Sequence, residues 1–205
     1  MNIERAFSYV FKDPSWVAKI VIGAVMVLIP IIGWLILVGY GMRIMRQVAA
    51  GSDQPLPEWT DFGGLFVNGL KGWGISLIWG IPTIILNALA TGADSFSLRC
   101  LSWIVGTAEV MFVAAAIVPV AITGQFVDGL QFQQIINRVL ANLGDYVIIL
   151  VLGIVLQIIA VAGLIACLVG VLATLAYASF VGAHLWAQAY RRSTGIGDLA
   201  PAPRF

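Results

Sequence analysis

Between Tyr146 and Tyr190 the chain runs for 45 residues without an aspartate, glutamate, lysine or arginine, and His184 is its only histidine. As one continuous helix this run would be about 68 Å long, more than twice the roughly 30 Å hydrocarbon core of a bilayer. It has to fold back on itself. The stretch from Gly163 to Gly170 is the place that leaves two arms of ordinary spanning length, the first opened by Asp145 and the second closed by Arg191 and Arg192. The rest of the chain is of the same kind, with 60% hydrophobic and 10% charged residues, where a soluble domain of this size carries about 25% charge. The expected class is therefore all-α, a polytopic integral membrane helical bundle. A membrane β-barrel would need alternating segments of about 10 residues, and the sequence has no such pattern.

The N-terminal part poses a harder choice. Ile3, Phe7, Val10 and Phe11 share one helical face, which predicts a short amphipathic helix in the membrane interface. Asp13-Pro14 ends it and can open the next helix, with Asp13 as N-cap and Pro14 at the first helical position. Trp16 and Lys19 are then expected at headgroup depth. From Ile20 to Met42 no Asp, Glu, Lys, Arg or His occurs, and these 23 residues would make about 34 Å of helix, enough for one tilted span. Lys12 and Lys19 precede the run and Arg43 and Arg46 follow it, so a single span would put basic residues on both sides. A hairpin turning at Ile29-Pro30-Ile31-Ile32-Gly33 removes the conflict. It leaves ten of the eleven basic residues on one side and Arg99 alone opposite, against seven and four for the single span. The positive-inside rule prefers the hairpin and puts both termini in the cytoplasm. Pro30 and Gly33 become its turn residues, and the apolar tip is expected to lie under neighbouring helices, because lipid offers its backbone no hydrogen bonds.

The middle of the chain gives two further spans. Leu56-Pro57-Glu58-Trp59 continues a polar connector in which Trp59 is expected back at the interface, and Asp61 is a candidate N-cap. Phe62, Leu65, Phe66, Gly69 and Leu70 then predict a second interfacial helix ahead of a span from Gly72 to Thr91 that Pro82 kinks. The return span runs to about Gly124 through Glu109 and Pro119. Residues 126–143 carry the strongest amphipathic pattern in the chain, a third interfacial helix. The layout is one membrane domain over 1–195: a hairpin at 13–50, an interfacial helix and two central spans at 60–124, the helix at 126–143, and a hairpin at 145–192. About six helices are then membrane-embedded, and 196–205 reads as a flexible tail.

Asp13-Pro14-Ser15-Trp16, the segment Leu28-Ile29-Pro30 with Gly39-Tyr40 and Arg43-x-x-Arg46, and above all Leu56-Pro57-Glu58-Trp59 with Asp61-Phe62 and Leu65-Phe66-x-x-Gly69-Leu70-Lys71 form a recognisable set. Over residues 7–82 the chain resembles domain-of-unknown-function family 4013 of bacterial and archaeal membrane proteins. The resemblance implies a multi-pass protein of the bacterial or archaeal plasma membrane and supplies no catalytic residue.

Three polar residues inside the apolar runs are the candidate sites. Glu109 is the only carboxylate within a span, and a charge at that depth is costly unless it is neutralised or paired. Gln157 falls at a similar depth and could bond it. A proton or cation relay and a register-fixing hydrogen bond both remain open for this pair. His184, between Gly182, Ala183 and Ala187, could ligate a haem or chlorophyll metal or make a structural contact. A phosphate-binding Gly-x-x-x-x-Gly-Lys loop, a His-Glu-x-x-His zinc motif and a dinucleotide fingerprint are all missing, and the net charge of +1 gives no nucleic-acid surface. No enzyme activity, metal or cofactor is expected. The partners expected are the lipid bilayer and other membrane proteins. The function expected is that of a non-catalytic accessory or scaffold subunit in a larger complex, with a small transporter or channel built on Glu109, or a pigment or haem carrier built on His184, as alternatives.

Overall fold

The computed structural model describes residues 3–51, 56–162 and 167–195, and among them every regular element is helical. In chain order these are α1 (Ile3–Ser8), a 3-10 turn at Val10–Lys12, α2 (Trp16–Leu28), α3 (Ile32–Ala49), α4 (Phe62–Gly92), α5 (Phe96–Thr123), a 3-10 turn at Phe126–Leu130, α6 (Phe132–Ala141), α7 (Leu143–Ala162) and α8 (Cys167–Ser193). Three of them, α4, α5 and α8, are long and apolar enough to cross a bilayer. A fourth span results if α6 and α7, which meet at 86°, are counted together. The described helices thus supply three to four candidate spans rather than six. Helix α2 has only 13 residues, about 20 Å of helix, and α7 counts as a span only together with α6.

The chain does turn back at Pro30. Lys19, near the start of α2, donates to the Leu56 carbonyl (2.7 Å), and Tyr40 and Arg43, towards the end of α3, donate to the carbonyls of Pro57 (2.7 Å) and Glu58 (3.1 Å). One short connector touches both ends of the α2–α3 pair, which only a hairpin allows. Its tip departs from expectation, because Pro30 is exposed and Ile31 is 71% exposed rather than covered by other helices. The tip satisfies its backbone by itself. Ile29 N donates to Met26 O (3.2 Å), Gly33 N to Ile29 O (3.1 Å), and the Trp34 indole to Val27 O (2.9 Å). Ile32 N donates to Pro30 O (2.8 Å) across Ile31, whose φ of 64° and ψ of −69° make a classic γ-turn, a rare conformation for a β-branched residue. A Cβ on Gly33 would collide with the Met26 carbonyl, so a glycine is required there.

Three other sequence expectations change. Helix α2 begins at Trp16 with Ser15 in the cap position, and Asp13 accepts from the Ser15 amide (2.7 Å) and hydroxyl (2.6 Å), closing a local turn instead of capping the helix. The second interfacial helix and the following span are one helix, α4. Asp61 opens it by accepting from Gly64 N (3.0 Å), and Gly69 and Gly72 do not interrupt it because they pack against α3. Residues 126–143 form a 3-10 turn followed by α6, with α7 already starting at Leu143. Pro82 and Pro119, both read as kink positions, lie inside α4 and α5. Of the turn expected at Gly163 to Gly170, residues 163–166 lie outside the described residues and 167–170 open α8; the tail at 196–205 also lies outside them. The arms α7 and α8 nonetheless pack together, and Arg192 reaches Asp145 (2.9 Å) across their open end.

Helix α8 is the hub, because its small residues Ala176, Ala183, Ala187 and Ala189 are all buried and let α1, α2, α3, α5 and α7 pack around it. Helix α3 links this group to the α4–α5 pair by crossing α4 at Gly39 and Gly69. A Cβ at either glycine would overlap the other helix's backbone, at Leu65 or Leu35. Small residues allow this approach because, within lipid, helices are held together by close packing and not by the hydrophobic effect.

Candidate functional site: a polar seam between two cavities

Along α4 the polar residues Thr83, Asn87 and Thr91 recur every four positions, so they share one face. Asn87 Nδ2 donates to Thr83 O (3.0 Å), and Thr91 Oγ1 to Asn87 O (2.9 Å), which ties the stripe to its own helix. Thr83 Oγ1 is left to donate to Glu109 Oε2 (2.5 Å), midway along α5. Two glycines make room for this contact. A Cβ on Gly80 would press on Glu109 Oε1 at 3.3 Å, and one on Gly106 would press on the Thr83 side chain at 3.3 Å.

The Thr83–Glu109 bond stands between two cavities. The larger, about 680 Å³, lies where α7 leans on α8 and stands off from α4 and α5; its walls are mainly apolar, with Thr83, Asn87, Ser102, Thr107 and Gln157 as the polar points. The smaller, about 530 Å³, lies among α3, α5 and α8 and contains Glu109 and Ser76. Val110, Gly182 and Trp186 line both. Glu109 and Gln157 therefore border different cavities, and the carboxylate's bond goes to Thr83. Sequence reading missed Thr83 and Asn87, although a four-residue polar period inside an apolar span is the signal that reveals them.

His184 is 2% exposed; its Nδ1 is 3.0 Å from Gln188 Nε2, its ring packs at 4.7 Å from that of Tyr9, and it borders neither cavity. Cys100 is exposed with a free thiol. Among the described residues no three His, Cys, Asp or Glu side chains gather into a metal-binding group.

A second polar centre surrounds the connector at 56–61. Trp59, expected at the lipid interface, is buried. Its ring stacks on Tyr40 at 3.9 Å and its indole donates to Lys19 O (3.1 Å). Lys19, expected among headgroups, is 3% exposed and pairs with Asp13 (2.7 Å) and Glu58 (2.7 Å). The cause is the connector's irregular backbone, whose carbonyls need donors that a helix would have supplied from its own chain. Lys19, Tyr40 and Arg43 provide them. Burial by itself would push the Asp13 carboxyl up, but bonds from the Lys19 ammonium and from Ser15 overcome it and hold the group below the usual carboxylate range.

A family model described as a protein of unknown function, DUF4013, matches residues 22–171. The chain belongs to this family. The DUF4013 match extends well past the N-terminal motifs, through α4, α5, α6 and α7 into the start of α8, so both cavities are largely built from family residues. Gly182 and Trp186, which line both cavities, and the buried His184 fall beyond it. No curated protein and no solved structure matches the chain.

Proposed function

We propose that this DUF4013 protein is a non-catalytic accessory or scaffold subunit of a bacterial or archaeal plasma membrane, with both termini cytoplasmic, that receives a helix of a partner membrane protein in the cleft beside α7. On this reading α4 and α5 cross the bilayer, the α2–α3 and α7–α8 pairs are hairpins embedded beside them, and α1 and α6 lie in the interface. The observation that carries it is the state of two glycines. Gly153 and Gly182 line the larger cavity, and a Cβ on either would meet nothing within 4 Å, in contrast to the packed glycines of α3 and α4. Small residues left uncovered beside hydroxyl and amide groups suit the approach of another helix, which could use Gln157 and Asn87 as hydrogen-bond partners. Extraction in mild detergent followed by sizing tests this. Wild type should run as a complex and Gly153→Leu as a folded single chain; a lone wild-type monomer with no associated protein overturns the proposal.

One observation favours a second reading, a small transporter: Glu109 lies midway along α5 beside one cavity and is bonded to a residue lining the other. A Glu109→Gln variant reconstituted in vesicles with solute flux unchanged from wild type would remove it.

A further inference from the structure

Helix α6 presents Ile136 (38% exposed) and Leu140 (58%) outward, while Ile135 and Val139 are buried against the bundle and the half-exposed Phe132 packs its ring on Trp79. Its axis turns 86° from α7. An apolar flank on a helix lying across the end of a span seats that helix at the boundary between headgroups and acyl chains. Beneath it is a polar pocket of about 170 Å³, bounded by Thr123, Asp128, Gln131, Gln134, Arg138 and Tyr190. Next to Asp128 in the chain, Gly129 is held in place, because the Trp79 indole donates to its carbonyl (2.9 Å) and it is wedged between Ile75 and Val120.

Two opposite charges, Arg138 and Asp128, line this pocket. Arg138 stacks its guanidinium on the Tyr190 ring at 4.6 Å, and its Nη1 is buried without a hydrogen-bond partner. A buried guanidinium N–H without an acceptor is costly, and a phosphate oxygen would satisfy it. Asp128, half-buried, lines the same pocket; its Oδ1 accepts from Gln131 Nε2 (3.0 Å), and no salt bridge among the described residues joins it to Arg138. The pocket also abuts the last turns of α5, at Thr123, and of α8, at Tyr190 beside Arg138. The pocket therefore offers Arg138 to an anion and Asp128 to a cation.

We infer that this pocket binds a head group carrying both a phosphate and a primary ammonium, the phosphate on Arg138 and the ammonium at Asp128, with the acyl chains of an aminophospholipid lying along the exposed flank of α6. The inference depends on the membrane reading but not on the partner-helix proposal, which concerns the far side of α7. Purified full-length protein in mild detergent is mixed with phosphatidylethanolamine, phosphatidylglycerol or phosphatidylcholine, and retained lipid is counted by native mass spectrometry. Phosphatidylethanolamine should be retained roughly tenfold better than the other two, the scale of one charge-assisted contact. Arg138→Gln should reduce retention of all three, with Arg138→Lys restoring part of it. Asp128→Asn should remove the preference over phosphatidylglycerol, a result that stands even where Arg138→Gln fails to fold. Soluble O-phosphoethanolamine separates the sources: competition makes the head group alone the ligand, and its lack makes the acyl chains necessary. Equal retention of the three lipids by wild type, or an Arg138→Gln protein that folds and retains phosphatidylethanolamine like wild type, overturns the inference.

Discussion

The two helical hairpins have similar sequence plans, an aspartate at the start (Asp13, Asp145), apolar arms and two arginines at the end (Arg43 and Arg46; Arg191 and Arg192), yet they are locked in different ways. In the C-terminal hairpin the aspartate and an arginine meet directly, Asp145 with Arg192, at the surface, with side chains 21% and 55% exposed. In the N-terminal hairpin Asp13 meets Lys19 instead, with side chains 2% and 4% exposed, and Arg43 reaches the connector backbone. The glycines differ likewise, since Gly39 of α3 is in backbone contact with α4 while Gly153 of α7 faces open space. A hairpin that holds the connector between α3 and α4 has to be rigid. The other leaves a face free, which suits a surface that docks onto something else.

The largest expected effect comes from Lys19→Met, which strands the Asp13 carboxylate in a buried site and should cost about 3–5 kcal/mol of stability, against about 0–1 kcal/mol for Arg192→Ala at the exposed pair. Chemical unfolding of both variants in one detergent measures the difference, and equal costs would break the comparison. Next is the glycine contrast. Gly39→Ala forces two helix backbones apart and should destabilise by about 1–3 kcal/mol or more. Gly153→Ala should be neutral or stabilising by up to about 1 kcal/mol through helix propensity alone, and a destabilised Gly153→Ala would show that this face is already packed.

The pH dependence sharpens the same difference. Because Asp13 is held below its ordinary range in the folded chain, its contribution is fully present above the unfolded carboxylate value near 4. It is lost as the pH falls through the lower folded value. Unfolding midpoints taken from pH 6 down to pH 3 should therefore fall in wild type and flatten in Asp13→Asn. The smallest effect is expected at the tip. Ile31→Gly removes a positive-φ isoleucine and gives back part of that gain as chain entropy, for a net stabilisation of about 0.5–1 kcal/mol, read as a small rise in the unfolding midpoint.

Much of the fold was legible because apolar run length and charge placement are enough to fix helices and reversals in a chain of this composition. The 45-residue run had to fold back, charge placement favoured a turn at Pro30 over a single span, and Asp61 did cap the helix it precedes. The candidate site was only half legible. Glu109 stands out as a lone carboxylate, but its partner is a threonine 26 positions earlier on the neighbouring helix, and Gln157, matched to it by depth alone, borders the other cavity. Depth along a helix can be counted from sequence. The direction a side chain faces around the bundle cannot be counted that way.

The fate of Lys19 and Trp59 makes the same distinction. Their composition and position read as a headgroup belt, and tertiary structure buried both under a connector whose carbonyls required donors. By itself the sequence determined that the chain is apolar and helical, because backbone hydrogen bonding in lipid leaves few other forms, while its charge placement only favoured the reversal at Pro30 that the packing then decided. Which residues lie inside, which glycines are covered and where the cavities open was decided only by how the helices pack, because that depends on contacts between segments far apart in the chain.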